Sequence, residues 1–339
     1  MGAPHAPLHL PMAMPFVNRQ QHLQVIPGNC QLRPVIDLHY CRRAMTDADA
    51  PTFLAIDGGG TCCRFVLIHA GRHFEESGGS ANPSTDFAAT AALIIQRLGR
   101  VAAQAGLTEN EMSAIPSFVG LAGLTGPRIR DRLRGALPLQ HARLVDDRPA
   151  CVQGALGTDD GYVANCGTGS FFAVQSNGRQ RFVGGWGPVL GDEASAQWMG
   201  RSALSAAACS VDGIIPTSPL VREILARFDD AEGIVEFAGR ATPADRGAIA
   251  PAVTRWAAAD DPLARHLLEA GAHHVTETLR HLGWQPGSRI CLVGGLAPHY
   301  AALLPDDMQR SIMQPRGRSI DGALALARNH ALEVGRALR

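Results

Sequence analysis

The sequence contains no lysine, and all 31 of its basic residues are arginine. This absence excludes enzymes that depend on a lysine amine, such as P-loop nucleotidases, protein kinases and enzymes that form a Schiff base. Any phosphate that the chain binds must therefore be held by backbone amides, hydroxyl groups, metal ions or arginine.

Other absences narrow the class of protein further. No apolar run reaches the roughly 18 residues of a membrane-spanning helix. The 31 acidic residues balance the basic ones, so neither nucleic acid nor a membrane surface is expected as a partner. The eight cysteines form no CxxC pair and no zinc-type cluster with histidine. We therefore expect a soluble globular protein of the reducing cytoplasm.

Two short glycine turns, each between two apolar strands, are the most informative motifs. The first is Asp57-Gly58-Gly59-Gly60-Thr61 and the second is Cys166-Gly167-Thr168-Gly169-Ser170. Glycine lets backbone N–H groups approach an anion closely, and the threonine hydroxyl adds a donor. Two copies that each keep a Gly-Thr pair predict a duplicated fold that holds one polyphosphate from both sides.

The order of apolar patterns predicts two α/β domains. At 339 residues the chain has room for two domains of ordinary size. We expect an N-terminal domain over 51–158, a C-terminal domain over 159–318, and a final helix over 319–339 that packs back on the first. Residues 1–50 contain six prolines and no regular period, so we expect a disordered extension or a true start at Met45.

Three aspartates stand at the ends of predicted strands. Asp57 precedes a phosphate-type turn, where a nucleotide-bound Mg²⁺ would be held through water; an ordinary turn residue is the alternative. Asp146 and Asp147 follow the strand at 143–145, where open α/β sheets present catalytic groups. A carboxylate there could accept the proton of a hydroxyl nucleophile, and helix capping is the alternative. Because neighbouring strand residues face opposite sides, at most one of the pair is expected to serve.

Two further glycine-rich segments could contact a ligand. The loop from Gly184 to Glu193 surrounds Trp186 with glycines and acids, a composition suited to a sugar; a structural loop with the tryptophan in the core is the alternative. Asp192 is predicted to cap a helix that ends near residue 208. Gly294 and Gly295 lie at a strand-to-helix junction, where the backbone can approach adenosine closely.

Taken in order, these motifs resemble the N-acetylglucosamine kinase / BadF-type ATPase family of the actin–hexokinase–Hsp70 superfamily. The resemblance covers about residues 52–330 and includes the strand end Val293-Gly-Gly-Leu296. It implies a two-domain, ribonuclease H-like α/β fold, each domain a mixed sheet flanked by helices. It also implies ATP with Mg²⁺, an amino-sugar substrate, and transfer of the γ-phosphate to the 6-hydroxyl of glucosamine or N-acetylglucosamine. A homodimer is expected.

The resemblance gives roles to individual residues. Asp147 would be the base and would also bind the sugar, while Asp57 keeps its predicted place beside the metal. The implied ATP-binding residues are Gly58, Gly59, Gly60, Thr61, Gly167, Thr168, Gly169, Gly294 and Gly295. The implied sugar-binding residues are Asn82, Asp147, Ser170, Gly185, Trp186, Gly187 and Asp192.

Two positions depart from the family pattern. Members often place a lysine or arginine directly after the first glycine turn, where this chain has Cys62. We predict that Arg64, on the same strand face, replaces it. Phe171 stands where the animal N-acetylglucosamine kinases carry an asparagine in the sugar site.

Two other functions stay open on the sequence. A BadF-type ATPase that activates a 2-hydroxyacyl-CoA dehydratase would bridge an iron–sulfur cluster with two cysteines per chain. Cys151 and Cys166 are not in the expected arrangement for that role. A sugar-sensing regulator would need a DNA-binding motif, which the prolines of the first 50 residues disfavour.

Overall fold

The computed structural model describes residues 51–338, so the expectations for residues 1–50 lie outside the described chain. The strands in this part are β1 (Phe53–Gly58), β2 (Cys63–His69), β3 (Arg72–Gly78), β4 (Ser117–Leu121), β5 (Ala142–Val145), β6 (Gly161–Cys166), β7 (Ser170–Ser176), β8 (Arg179–Gly184) and β9 (Ile290–Val293). The helices are α1 (Phe87–Ala105), α2 (Glu109–Ser113), α3 (Pro127–Ala136), α4 (Arg148–Leu156), α5 (Ala196–Val211), α6 (Pro219–Arg227), α7 (Ala231–Arg240), α8 (Pro243–Gly247), α9 (Ala250–Ala258), α10 (Pro262–His281), α11 (Ala297–Ala301), α12 (Asp306–Gln309) and α13 (Ser319–Ala337).

The strands form two mixed sheets built on one plan. The first sheet has the order β3-β2-β1-β4-β5, and the second has the order β8-β7-β6-β9. Each sheet contains an antiparallel three-stranded meander, and on the side of its first strand the first sheet adds two parallel strands and the second sheet adds one. The predicted fold class, mixed sheets flanked by helices, is therefore confirmed.

Each sheet is covered by helices that bury an apolar face. Helix α1 places Ile94, Leu98 and Val101 on one side at helical spacing, and all three are buried in the core of the first sheet. The second sheet shares a core with the helices between β8 and β9, in which α10 buries residues such as Leu268 and Val275. No helix within residues 51–338 is both long and apolar enough to span a membrane.

Helix α13 packs on the first sheet and crosses α4 in backbone contact. Its residues Ile320, Ala323 and Ala327 share a core with β1 and β4. A Cβ added to Gly154 of α4 would lie 2.2 Å from the carbonyl oxygen of Arg318. The two helices can approach this closely because glycine has no side chain at the crossing. Helix α4 begins directly after Asp147, so this packing also supports the segment that carries the predicted base.

The helix after the Trp186 loop begins later than expected, and the prediction that Asp192 caps it is wrong. Helix α5 is capped by Ser195, whose side chain accepts a hydrogen bond from the Trp198 N–H. Asp192 itself has φ +65°, a left-handed conformation that an N-cap residue does not adopt. Its buried carboxylate turns back to the second glycine turn, where a Cβ on Gly169 would lie 2.9 Å from Asp192 Oδ2.

Candidate active site

The two glycine turns meet across the space between the sheets. The hydroxyl oxygens of Thr61 and Thr168 lie 2.7 Å apart and share a hydrogen bond. Each turn is closed by its own backbone: Gly59 donates to the Cys62 carbonyl at 2.9 Å, and Gly167 donates to the Gly169 carbonyl at 3.0 Å. The structure therefore places the two predicted phosphate contacts side by side, where one polyphosphate could touch both.

Two aspartates lie at the carboxyl edge of the first sheet, on either side of β4: Asp57 on β1, and Asp147 just after β5. In the parallel register, Asp57 of β1 lies beside Gly120 of β4, and Gly120 lies beside Val145 at the end of β5. A Cβ on Gly120 would lie 3.6 Å from the Cα of Asp147. The missing side chain at Gly120 thus leaves room at the edge of the sheet that Asp57 and Asp147 share.

Burial decides the protonation of both carboxyl groups. Burial raises the pKa of Asp57 to about 6, and the positive charge of Arg64 opposes the rise. Burial also raises the pKa of Asp147 to about 7, with a further contribution from the negative charge of Asp57. The Arg64 guanidinium reaches the Asp57 carboxylate only at 4.0 Å. Nearby positive charge therefore does not offset the effect of burial on either carboxyl group.

This donor set fits a hard cation. Carboxylate oxygens and water are the ligands that Mg²⁺ prefers, together with the phosphates of a nucleotide. Within residues 51–338, no group of three or more histidine, cysteine, aspartate or glutamate side chains forms a complete metal cage. A magnesium ion that arrives with a nucleotide needs one or two protein carboxylates, and Asp57 is placed to supply one.

The two adjacent aspartates at the end of β5 have different surroundings. Asp146 is fully engaged by Arg148, which donates from Nε at 2.7 Å and from Nη2 at 3.2 Å to its two carboxylate oxygens. Asp147 stands at the start of α4 but makes no side-chain capping bond. Its carboxylate is thus available to a ligand, and geometry favours Asp147 over Asp146 as the base.

Asn82 is fixed beside the first glycine turn. Its Oδ1 accepts hydrogen bonds from the Ser84 and Thr85 N–H groups at 3.0 and 3.2 Å, which leaves Nδ2 to donate elsewhere. The preceding residue, Ala81, donates to the Gly59 carbonyl at 3.2 Å. A Cβ on Gly123 would lie 2.0 Å from Asn82 Oδ1, so only glycine allows this loop to pack. The arrangement presents an amide donor at the edge that carries the two aspartates.

The predicted sugar-binding residues of the second sheet lie around the loop that follows β8. Ser170 is buried and donates to the Glu193 carbonyl at 2.6 Å. Gly185 and Gly187 have φ values of +75° and +86°, which favour glycine. Trp186 is 75% exposed, so the alternative that places it in the core is wrong. An exposed indole beside positive-φ glycines is free to lie against a ligand.

Gly294 and Gly295 border the second glycine turn. Gly294 has φ +97°, and a Cβ there would lie 2.4 Å from the carbonyl carbon and oxygen of Cys166. Leu296 donates from its backbone to the same carbonyl at 3.2 Å. No atom lies within 4 Å of a Cβ built on Gly295, which faces open space. The junction is thus packed on one side and accessible on the other.

Sequence reasoning missed Arg148 and Gly120. The signals were weak: an arginine directly after two aspartates, and one glycine inside a buried strand. Phe171, which departs from the animal kinases, is buried, with its ring 6.3 Å from that of Phe182 in an edge-on arrangement. It therefore belongs to the packed interior beside β8.

Comparison with known proteins agrees with the geometry. The glucosamine kinase of Vibrio cholerae is 30% identical over 283 residues, which are 81% of this chain and 95% of that protein. A solved structure from Chromobacterium violaceum, provisionally named an N-acetylglucosamine kinase, is 30% identical, with a TM-score of 0.71, and the match covers 82% of this chain and 99% of that one.

A more distant structure shows the fold alone. The ROK family glucokinase of Streptomyces griseus, solved with glucose and AMPPNP, has a TM-score of 0.52 at 17% identity, and the match covers 82% of this chain and 99% of that one.

Residues 54–325 match the BadF/BadG/BcrA/BcrD ATPase family. Because that match spans most of the sequence, the predicted family is confirmed, and the chain belongs to the BadF/BadG/BcrA/BcrD ATPase family.

Proposed function

We propose that this chain transfers the γ-phosphate of ATP to the 6-hydroxyl of an amino sugar, glucosamine or N-acetylglucosamine. At the level of enzyme class, an ATP-dependent sugar kinase, the prediction is confirmed by the relatives at 30% identity. The observation that carries the finer proposal is the position of Asp147 at the sheet edge that also bears Asp57 and the first phosphate turn.

In this proposal, different residues of the chain bind the phosphates, accept the proton and orient the sugar. Thr61, Thr168 and the glycine amides around them would hold the phosphates, since the chain offers no lysine. Asp147 would accept the proton of the attacking hydroxyl, while Asn82 and the Trp186 loop orient the sugar. Asp57 would hold a magnesium ion through water, and that ion supplies neutralisation of the phosphate charge. A pair of sheets that closes on its ligands would exclude water and limit ATP hydrolysis.

An ATP-coupled assay across four sugars tests the proposal. The sugars are glucosamine, N-acetylglucosamine, N-acetylmuramic acid and glucose, each at several concentrations. We expect the highest kcat/KM with glucosamine or N-acetylglucosamine, and a phosphate monoester at the 6-position in the product. Turnover of glucose alone, or of none of the four, would overturn the amino-sugar assignment.

The activity should be lost in mildly acidic solution. Asp147 can accept a proton only when it is ionised, and burial raises its pKa to about 7. We expect kcat/KM for the sugar to fall by about tenfold per pH unit below that value, since the ionised fraction falls in that proportion. Initial rates between pH 5 and 9 measure this fall on the acidic side of the pH profile. A rate unchanged down to pH 5 would contradict the assignment of the base.

Arg64→Ala should weaken ATP binding. Arg64 lies opposite Asp57 in the β1–β2 register and is half-exposed, so its charge faces the predicted phosphate site. We expect the KM for ATP to rise several-fold and the KM for the sugar to stay within about twofold, since a single exposed charge contributes about 1 kcal/mol or less. Arg100→Ala, an exposed arginine on α1, serves as the control. Unchanged ATP kinetics would refute the replacement of the missing basic residue at Cys62.

The dehydratase-activator alternative has no support in the site. Cys151 and Cys166 are both buried, and burial raises the pKa of each thiol to about 12. Thiols that stay protonated and covered are poor ligands for a cluster shared between two chains. A brown, oxygen-sensitive preparation would nevertheless favour that alternative over the kinase.

A further inference from the structure

One arginine connects the segment that carries Asp147 with the end of β8 in the second sheet. Arg148 is the first residue of α4 and directly follows Asp147. Its Nε and Nη2 donate to the two oxygens of Asp146, and its backbone N–H also donates to Asp146 Oδ1 at 3.1 Å. The guanidinium is thus held in a bidentate pair that fixes its plane and direction.

The remaining face and edge of the guanidinium reach the second sheet. Nη1 lies 3.5 Å from the carbonyl oxygen of Gly184, the last residue of β8. The guanidinium carbon stands 4.9 Å above the centre of the Phe182 ring, a cation–π distance. Phe171 packs edge-on against that ring. Phe171, the residue that departs from the animal kinases, therefore packs against the same ring that Arg148 contacts.

The loop itself leaves space for the arginine. A Cβ on Gly185 would lie 3.6 Å from Arg148 Cδ and from its Nη1, so the arginine side chain runs past this residue of the loop. Gly184 and Gly185 both have positive φ, the left-handed conformation that favours glycine. Arg148 thus contacts the last residue of β8 and lies beside the first residue of the loop that follows it.

We propose that Arg148 is a positioning residue. It holds the Trp186 loop, from Gly184 to Glu193, in place relative to Asp147. The inference rests on the proposed function, because the loop and Asp147 are the predicted sugar contacts. Arg148 has no need to touch the sugar: it fixes the distance between two groups that do. A shift of the loop relative to Asp147 would separate two predicted sugar contacts, so this connection matters for how tightly the sugar is held.

Arginine and lysine should differ at this position. A planar guanidinium can pair with a carboxylate in two bonds, stack on an aromatic ring and donate to a carbonyl at once, whereas an ammonium acts as a point charge. Arg148→Lys keeps the charge beside Asp147 but loses the planar group that makes two hydrogen bonds to one carboxylate. Arg148→Met loses both, and Asp146→Asn removes the carboxylate that orients the arginine.

The test is a comparison of sugar and ATP kinetics in these three variants. We expect the KM for the sugar to rise by about tenfold or more in Arg148→Met, as for loss of a charge-assisted pair, with a smaller rise for Arg148→Lys and Asp146→Asn. The KM for ATP should stay within about twofold of wild type in all three, since Arg148 contacts neither glycine turn. The control is Arg143→Met, because Arg143 is a half-exposed arginine on β5 whose partner, Glu333, lies outside the site.

The outcomes separate the inference from the proposed function. Thermal unfolding first shows that each variant is folded. A rise of both KM values together, or wild-type sugar kinetics in Arg148→Met, would overturn the positioning role while leaving the kinase intact. A wild-type chain that phosphorylates no amino sugar would overturn the proposed function and this inference with it. Titration of the sugar against protein fluorescence repeats the comparison without turnover, and the Kd should follow the KM.

Discussion

Asp147→Asn is expected to reduce kcat by ~10²–10⁴-fold, the range for loss of a general base. The asparagine keeps the size of the side chain but cannot accept the hydroxyl proton. No neighbour is free to take over, because Asp146 is paired with Arg148 and Asp57 is the proposed contact of the magnesium ion. Steady-state rates with ATP and the preferred amino sugar measure the effect, and retained activity would refute the assignment.

Two controls distinguish a lost base from a damaged fold. The Kd for ATP, measured by calorimetry, should stay close to wild type, since Asp147 belongs to neither glycine turn. The melting temperature should not fall, because burial disfavours the charge of Asp147 and the neutral amide removes that cost. A variant that loses ATP binding or stability along with turnover would point to a structural role for Asp147.

The features that depend on local sequence could be predicted. A glycine turn between two apolar strands encodes its own hairpin, and both turns lie where the spacing placed them. The strand end before Asp147 and the strand before Gly294 follow from short apolar runs bounded by turn residues. The family resemblance then brought these distant segments into one site, which spacing alone could not do.

The features that depend on contact between the sheets could not be predicted. The bond between Thr61 and Thr168 joins residues 107 positions apart, and its existence depends on how the two sheets face each other. The same holds for Arg148 and Gly184. Asp192 failed as a helix cap for a related reason: its carboxylate packs against Gly169 of the second glycine turn, and this tertiary contact outweighs the local preference.

Gly294→Ala is expected to raise the KM for ATP by about tenfold or more and to destabilise the fold by about 1–3 kcal/mol, the usual cost of overpacking. At φ +97° an alanine is strained whatever the space around it. Its Cβ would also lie 2.4 Å from the Cys166 carbonyl and 2.6 Å from the Gly167 nitrogen. Those atoms belong to backbone and cannot move aside without shifting the turn that carries Thr168.

The neighbouring glycine provides a matched comparison. A Cβ on Gly295 meets no atom within 4 Å, so Gly295→Ala should leave the melting temperature unchanged, whereas Gly294→Ala lowers it by several degrees. The two variants differ by one position in the same predicted adenosine contact. Equal losses of ATP affinity would place the effect in the nucleotide contact itself. A loss confined to Gly294→Ala would place it in the geometry of the second phosphate turn, which is the outcome that the close approach to Cys166 predicts.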